Sequence, residues 1–307
     1  MGPRVGVIGP TGFGGSYLCV ELLKRGHNIR GISRTPEELG ADPAYTPYSI
    51  DVEKASFEEV VAAFKDLDVL VNEYGPHTSG EHALQYKPFL ELTRKIVICA
   101  KAAQVGYFVM VGGCGSLHYP SNRFSTCADT KIFWLYYRRG IADSHAHVSY
   151  MEERLGSMGT SLRRYRDARL AVRQGIADAA TEELVEKYEE AVMANDSALE
   201  FVMAGRTSFM FFDGNTSFNW TYVSPPALYR SGARTGSYDI IVDELPVKPA
   251  PEGQDESDLT GRLHGISAAD LAIAIADEID DKKLLGKHWS AYADMSDDIP
   301  TPSYVRL

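Results

Sequence analysis

Val5-Gly6-Val7-Ile8-Gly9-Pro10-Thr11-Gly12-Phe13-Gly14-Gly15 is the stretch that decides the fold. A short apolar run ends on a glycine, and glycines recur at Gly9, Gly12 and Gly15 in a GxxGxxG spacing. Between a buried strand and a helix, glycines permit a tight turn, let a pyrophosphate approach the backbone, and let helix and strand pack closely. The helix that follows, Phe13 to Arg25, carries Tyr17, Leu18, Leu22 and Leu23 at helical spacing. Its first turn offers free N–H groups and the positive end of a helix dipole, which together suit an anion. Gly9, Thr11, Gly12, Phe13 and Gly15 are therefore the expected phosphate-contact residues.

The chain on either side repeats this strand-then-helix rhythm. Asn28–Ile32, Asp68–Asn72 and Tyr107–Val111 read as strands. Ser56–Phe64, opened by a Ser-Phe-Glu-Glu capping box, and Pro88–Ala103 read as helices. Alternation of this kind implies parallel strands with helices on both faces. From Leu117 to Gly205 strands are not expected, and helices are read at Lys131–Arg139, His145–Leu155, Leu162–Ala177 and Glu182–Met203. Strand character returns at Phe218–Val223 and Tyr238–Val242. Lys248–Leu259 reads as a solvated acidic loop, and Ser267 opens a helix with Leu271, Ile275 and Ile279 on one face. The expected fold is a Rossmann-type, doubly wound parallel α/β sheet with a helical insertion and a small C-terminal substrate-side region. Residues 1–116 form the dinucleotide-binding core, 117–205 the insertion, and 206–307 the remaining strands and the last helix.

The end of the second strand indicates which dinucleotide. NAD sites place a carboxylate there for the ribose hydroxyls. This chain has Ile32-Ser33-Arg34-Thr35, with no carboxylate before Glu37. Ser33 and Arg34 suit the 2′-phosphate of NADP, because guanidinium meets phosphate with two parallel hydrogen bonds. Asp51 and Val52 follow the next short strand, where the adenine ring rests in such folds. Asp51 can face the adenine amino group or serve as a turn residue. NADP(H) is the expected cofactor.

Composition narrows the function classes. Among 307 residues the formal charge is −11, which opposes sequence-independent binding to nucleic acid. Cys19, Cys99, Cys114 and Cys127 form no CxxC pair and no metal-ligand spacing with histidine, so neither disulfides nor a metal site are expected. No apolar run approaches the ~18 residues of a bilayer span, and the N-terminus enters a strand at once. A cytoplasmic protein with a small-molecule substrate is expected, without membrane or nucleic-acid partners. A homodimer is compatible with the sequence.

Four segments together resemble a known family. Gly9-Pro-Thr-Gly12 is similar to a GATG-type loop, and Glu73-Tyr74-Gly75-Pro76 to an AYGP-type turn. Val109-Met-Val-Gly112-Gly-Cys-Gly-Ser116-Leu resembles VVGGAGSL, and Trp220-Thr-Tyr-Val-Ser224-Pro-Pro-Ala resembles WTFLSPPA. In order and spacing, outside the middle of the chain, these resemble the atypical short-chain dehydrogenase/reductases of the NmrA-like group, which include NADH-flavin reductase and biliverdin reductase B-like proteins. The resemblance implies that Tyr74, Gly75 and Pro76 line the cofactor ribose. It implies that Gly112 and Gly113 lie beneath the nicotinamide and that Ser224, Pro225 and Pro226 touch its carboxamide side.

The resemblance also places Ser116 where the superfamily keeps an active-site serine. The usual partner is a Tyr-x-x-x-Lys whose lysine lowers the phenol pKa. This sequence contains none. Tyr150-x-x-x-Arg154 and Tyr165-x-x-x-Arg169 keep a cation, whereas Tyr188 has the expected distance from the Trp220 strand without one. Each is also an ordinary helix-face tyrosine. Ser116, His118, Tyr119 and Tyr188 are the candidate catalytic residues, with His77 a further loop histidine and Cys114 read as a small buried residue. A flavin- or quinone-like acceptor can take its proton from water, so an NADP-dependent reductase of aromatic, quinonoid or flavin-like molecules is the expected activity. A non-redox isomerase, dehydratase or cyclase, and an NADP-sensing regulatory protein, are the alternatives. The aromatic run Ile132–Tyr137 is read either as a core or interface helix or as a lid.

Overall fold

The computed structural model describes residues 2–75, 85–120, 122–195, 197–297 and 302–307, with the backbone alone for 157, 158 and 197–201. β1 (Arg4–Ile8) runs into α1 (Phe13–Lys24), followed by β2 (Asn28–Ser33) and β3 (Tyr45–Ser49). α2 (Phe57–Phe64), β4 (Val69–Asn72), α3 (Tyr86–Ala102) and β5 (Tyr107–Val111) complete the first half. The capping box that opens α2 is present: Ser56 Oγ accepts from Glu59 N at 3.2 Å, and Ser56 N donates to Glu59 Oε2 at 2.7 Å.

The middle of the chain departs from the expected run of helices. A small hairpin, β6 (His118–Tyr119) and β7 (Asn122–Thr126), stands where no strand is expected. Four helices follow: α4 (Lys131–Asp143), α5 (His145–Leu155), α6 (Ser157–Arg173) and α7 (Ala179–Ala194). The single helix expected over Glu182–Met203 is broken. Asn195 adopts extended backbone at the end of α7, and α8 (Ser197–Phe209) begins anew. An Asn side chain competes for backbone hydrogen bonds, which suits Asn195 to a helix end. α8 crosses the expected boundary at 205/206 and packs against α3, so it belongs with the helices of the main sheet.

The last part supplies β8 (Trp220–Val223), β9 (Leu228–Arg230), β10 (Asp239–Val242), β11 (Gly265–Ser267), α9 (Ala268–Asp281) and β12 (His288–Tyr292). Ser267 caps α9 by accepting from Asp270 N. The main sheet has the order β10–β12–β8–β5–β4–β1–β2–β3, parallel throughout except for the edge pair β10–β12. β12 is a strand that sequence reading misses, and β9 pairs with β11 in a separate two-stranded sheet.

Both faces of the central strands are covered, which is why β1, β4 and β5 read as mainly apolar runs. Val5, Val7, Tyr107, Val109 and Trp289 face a core shared with α1, α5 and α9. Ile8, Leu70, Phe108, Met110 and Tyr222 face the opposite core, with α2, α3 and α8. Each such aliphatic or aromatic side chain contributes ~1.5–3 kcal/mol by leaving water. A third, smaller core gathers Leu117, Tyr119, Cys127, Phe133, Leu245, Leu259 and Leu263. The aromatic run of α4 is internal, since Phe133, Trp134 and Leu135 are buried. α4–α7 pack mainly on one another, and α4 and α5 also meet β9 and the cores that flank it. The C-terminal residues lie along α1: Val305 N donates to Ser16 Oγ, and Tyr17 Oη donates to the Pro302 carbonyl.

Candidate functional site

The carboxyl ends of β1, β2 and β4 open onto a cleft of about 260 Å³. Its lining includes Gly9, Thr11, Gly12, Ser33, Arg34, Asp51, Val52, Tyr74 and Gly75. The loop that forms its floor depends on two glycines. Gly9 has φ +80°, in the left-handed region, while its N–H donates to the Ile32 carbonyl. At Gly15 a Cβ would lie 2.1 Å from the Gly9 carbonyl oxygen, so helix and turn touch only because no side chain intervenes. Gly12 caps α1 without a side-chain hydrogen bond, and the first turn holds no acidic residue. Phe13 and Gly15 are buried at this helix start.

At the rim, Ser33 Oγ is enclosed yet meets no hydrogen-bond partner among the described residues. Arg34 is exposed, and no ion pair holds its guanidinium among the described residues. An orphaned hydroxyl beside an uncommitted guanidinium fits an oxyanion such as a phosphate. Asp51 does serve as a turn residue, since its Oδ1 accepts from Glu53 N and Lys54 N. Val52 is buried in the cleft wall. Tyr74 is oriented by Asn72, whose Oδ1 accepts from Tyr74 N at 3.2 Å, and its ring stacks on Phe89. Pro76 and His77 lie outside the described residues.

The ends of β5, β8 and β12 hold a different arrangement. Ser116, Ser224 and His288 are 1%, 0% and 2% exposed. Ser116 Oγ lies 2.7 Å from Ser224 Oγ and 3.1 Å from His288 Nε2, and Ser224 Oγ lies 3.0 Å from the same nitrogen. Ser116 Oγ also reaches the Gly113 carbonyl at 2.9 Å. His288 Nδ1 faces Asp243 Oδ1 at 3.4 Å, within ion-pair reach but outside good hydrogen-bond geometry. The carboxylate draws the ring proton to Nδ1 and leaves Nε2 to accept from a serine. Burial lowers the His288 pKa, so the ring is neutral, and His288 in turn lowers that of Asp243. The Ser116 hydroxyl is thus committed to internal partners. Gly112 N donates to the Val223 carbonyl, and Gly113 lies under α8 against Gly205. Pro225 and Pro226 are buried beside Ser224.

The other expected catalytic residues do not join the cleft. Tyr119 belongs to the third core, its hydroxyl directed to the Ser257 carbonyl, and burial pushes its pKa up to about 12. His118 joins the main chain of β10's end, donating from N to the Asp243 carbonyl. Tyr188 stacks on Tyr165 with ring centroids 4.0 Å apart and lines a groove between α6 and α7. Helical spacing places a tyrosine on a face without saying which face meets the sheet. Burial pushes the Cys114 thiol up to about 12, which opposes a nucleophilic role.

Sequence reasoning undervalued one pair and missed one residue. Arg154 Nη1 donates to Tyr150 Oη at 2.6 Å, and its guanidinium also lies over the Phe13 ring. Phe13 stands 5.0 Å from both Tyr150 and Tyr229, so an aromatic wall adjoins the glycine loop. Glu73, in the cleft lining, is the missed residue. Its signal was a charged side chain where the resembling turn has alanine. Among the described residues no group of three or more His, Cys, Asp and Glu could hold a metal, and no helix is long and apolar enough to cross a membrane.

Comparison with known proteins agrees with this geometry. Residues 9–154 match the family model described as NAD(P)H-binding. The uncharacterized protein YwnB of Bacillus subtilis is 22% identical over 278 residues, covering 90% of this chain and 92% of that protein. A Bacteroides thetaiotaomicron protein provisionally named an epimerase superposes with a TM-score of 0.63 at 21% identity, over 96% of this chain and 98% of that one. A Streptococcus pneumoniae protein provisionally named an NADH-flavin reductase superposes with a TM-score of 0.57 at 17% identity, over 95% and 100%. At these identities the solved structures speak for the fold. Residues 9–154 thus match an NAD(P)H-binding family, and the chain shares the Rossmann-type α/β fold of these solved structures.

Proposed function

We propose that the chain is an NADP(H)-dependent oxidoreductase acting on an aromatic, quinonoid or flavin-like small molecule. The observation that carries the cofactor reading is the uncommitted pair at the rim of the cleft. Ser33 offers an orphaned hydroxyl, and Arg34 a guanidinium free of ion pairs among the described residues, at the end of β2 where a 2′-phosphate would sit. The glycine loop and the first turn of α1 would hold the pyrophosphate. Bound NADPH would supply the hydride.

This chain's own residues then orient a flat acceptor and handle a proton. Phe13, Tyr150 and Tyr229 present ring faces beside the glycine loop, which suits stacking on a planar ligand. Arg154, bonded to Tyr150 Oη, favours the phenolate and so makes that proton easier to release. Burial acts in the other direction and raises the same phenol to about 12, so water remains the simpler proton source. The four cysteines are free thiols, which suits the proposed cytoplasmic setting.

The test is NADPH oxidation against quinones, FMN and FAD, together with binding constants for NADPH and NADH. Turnover with a planar acceptor is expected, with NADPH bound at least about tenfold tighter than NADH. Tight NADPH binding with no acceptor turned over would sink the redox reading. The absence of Tyr-x-x-x-Lys favours one alternative, a non-redox isomerase, dehydratase or cyclase on the same scaffold. That enzyme would form product without net consumption of NADPH.

A further inference from the structure

We propose that Glu73 is a proton-binding group of the dinucleotide cleft, so that the site takes up a proton as it takes up the dinucleotide. This rests on the dinucleotide reading above and adds a coupling which that reading does not contain.

The geometry begins with Gly14. The GxxGxxG spacing requires Gly9, Gly12 and Gly15 but not Gly14. A Cβ at Gly14 would lie 2.5 Å from Glu73 Oε2 and 3.1 Å from Tyr229 Oη. The extra glycine therefore makes room for the carboxyl that β4 brings to the first turn of α1. The glutamate that stands where the resembling turn has alanine and a side chain at position 14 would occupy the same space. The first turn of α1 carries no acidic residue of its own. Glu73 supplies one there from another element.

No hydrogen bond or ion pair meets the carboxyl among the described residues. The groups around it do not neutralise it. Cys19 on α1 and Tyr229 on β9 are uncharged, and each is pushed up by the carboxylate as well as by burial. On α5, Arg154 is bonded to Tyr150 and lies over Phe13. Across the cleft stand Arg34, Asp51, Glu53 and Tyr74, of which two are further carboxylates. Burial alone raises the Glu73 pKa to about 7, so its proton exchanges in the neutral range.

A pyrophosphate on the glycine loop brings negative charge beside this carboxyl. Like charges in a partly dry site favour the neutral acid, and the bound state therefore holds the proton more firmly than the free state. Binding consumes a proton wherever free Glu73 is ionised.

The experiment is calorimetric titration of the intact protein with NADPH from pH 6 to 8, in two buffers of different ionisation enthalpy. The wild type, Glu73→Gln and Glu73→Ala are compared. The alanine variant guards against misfolding of the glutamine variant, since alanine is the residue of the resembling turn. Titration of the NADPH 2′-phosphate is common to all three and cancels in the comparison. The wild type is expected to lose up to about tenfold in affinity over this range relative to the variants, and to take up close to one additional proton at pH 8. Equal pH slopes and equal proton uptake in all three proteins would overturn the proposal and leave the dinucleotide reading intact. Failure of all three to bind either NADPH or NADH would overturn both.

Discussion

Replacing Gly15 with alanine sets two predictable effects against each other. Alanine in the first turns of α1 gains up to about 1 kcal/mol of helix propensity over glycine. The added Cβ, however, would lie 2.1 Å from the Gly9 carbonyl oxygen, 2.9 Å from the Gly9 carbonyl carbon and 3.2 Å from Pro10 Cα. All three are backbone atoms, so no side chain can swing aside. The turn has to retreat by more than about 1 Å to reach ordinary contact distance. Forcing a methyl into a packed interior costs ~1–3 kcal/mol. The net loss of stability is then ~0–2 kcal/mol. The larger effect falls on binding, because the same retreat moves the N–H groups that face the pyrophosphate, and a displacement of about 1 Å can cost ~100-fold. Urea unfolding and fluorescence titration with NADPH separate the two effects. An unchanged NADPH affinity, with a gain in stability near the propensity value, would refute the account of the loop.

Three further outcomes are expected. Arg34→Gln should weaken NADPH binding by ~10- to 100-fold and leave NADH within about twofold, the size of a lost charge-assisted hydrogen bond; an equal loss for both nucleotides would remove Arg34 from the 2′-phosphate. Ser56→Ala should cost ~1 kcal/mol in urea unfolding, because the reciprocal cap of α2 is lost. Acid should destabilise the fold through His147, which is fully enclosed and whose pKa burial lowers from 6.5 to about 3. Below pH 6.5 the unfolded chain binds a proton there that the folded chain refuses. Stability is therefore full above that pH and falls by ~1 kcal/mol by pH 5.5. His288 is shifted in the same direction. His147→Gln should flatten the acid limb, and an unchanged limb would count against the assignment.

How far the sequence could be read depended on whether a signal was local. The glycine loop, the Ser56 cap and the Ser33–Arg34 pair each occupy one short stretch; the loop and the cap form as their spacing implies, and Ser33 and Arg34 line the cleft. β12 was invisible because His288 and Ser290 make it look polar, and only pairing with β8 and β10 buries it. The hairpin of β6 and β7 lies in a stretch too short to show alternation. Ser116 was singled out, yet its partner His288 stands 172 residues away, and no spacing connects them. Tyr150 and Arg154 were visible as a pair one helical turn apart. Their place beside Phe13 depends on how α5 packs, which periodicity leaves open.

The pairing of β5 with β8 has a consequence for the order of folding. Phe108 sits opposite Trp220, with all of α4–α8 lying between them in the chain. Closing so long a loop is entropically slow, whereas β1 through β5 are joined by short connections. The β3–β2–β1–β4–β5 half of the sheet should therefore assemble first, with β8, β12 and β10 docking onto its β5 edge. Pulsed hydrogen exchange during refolding would show it as earlier protection of Val7 and Val71 than of Tyr222 and Trp289. The Ser116–Ser224–His288 triangle spans that seam, so its three hydrogen-bonding groups come together only when the second half arrives. Simultaneous protection of both halves would exclude this order.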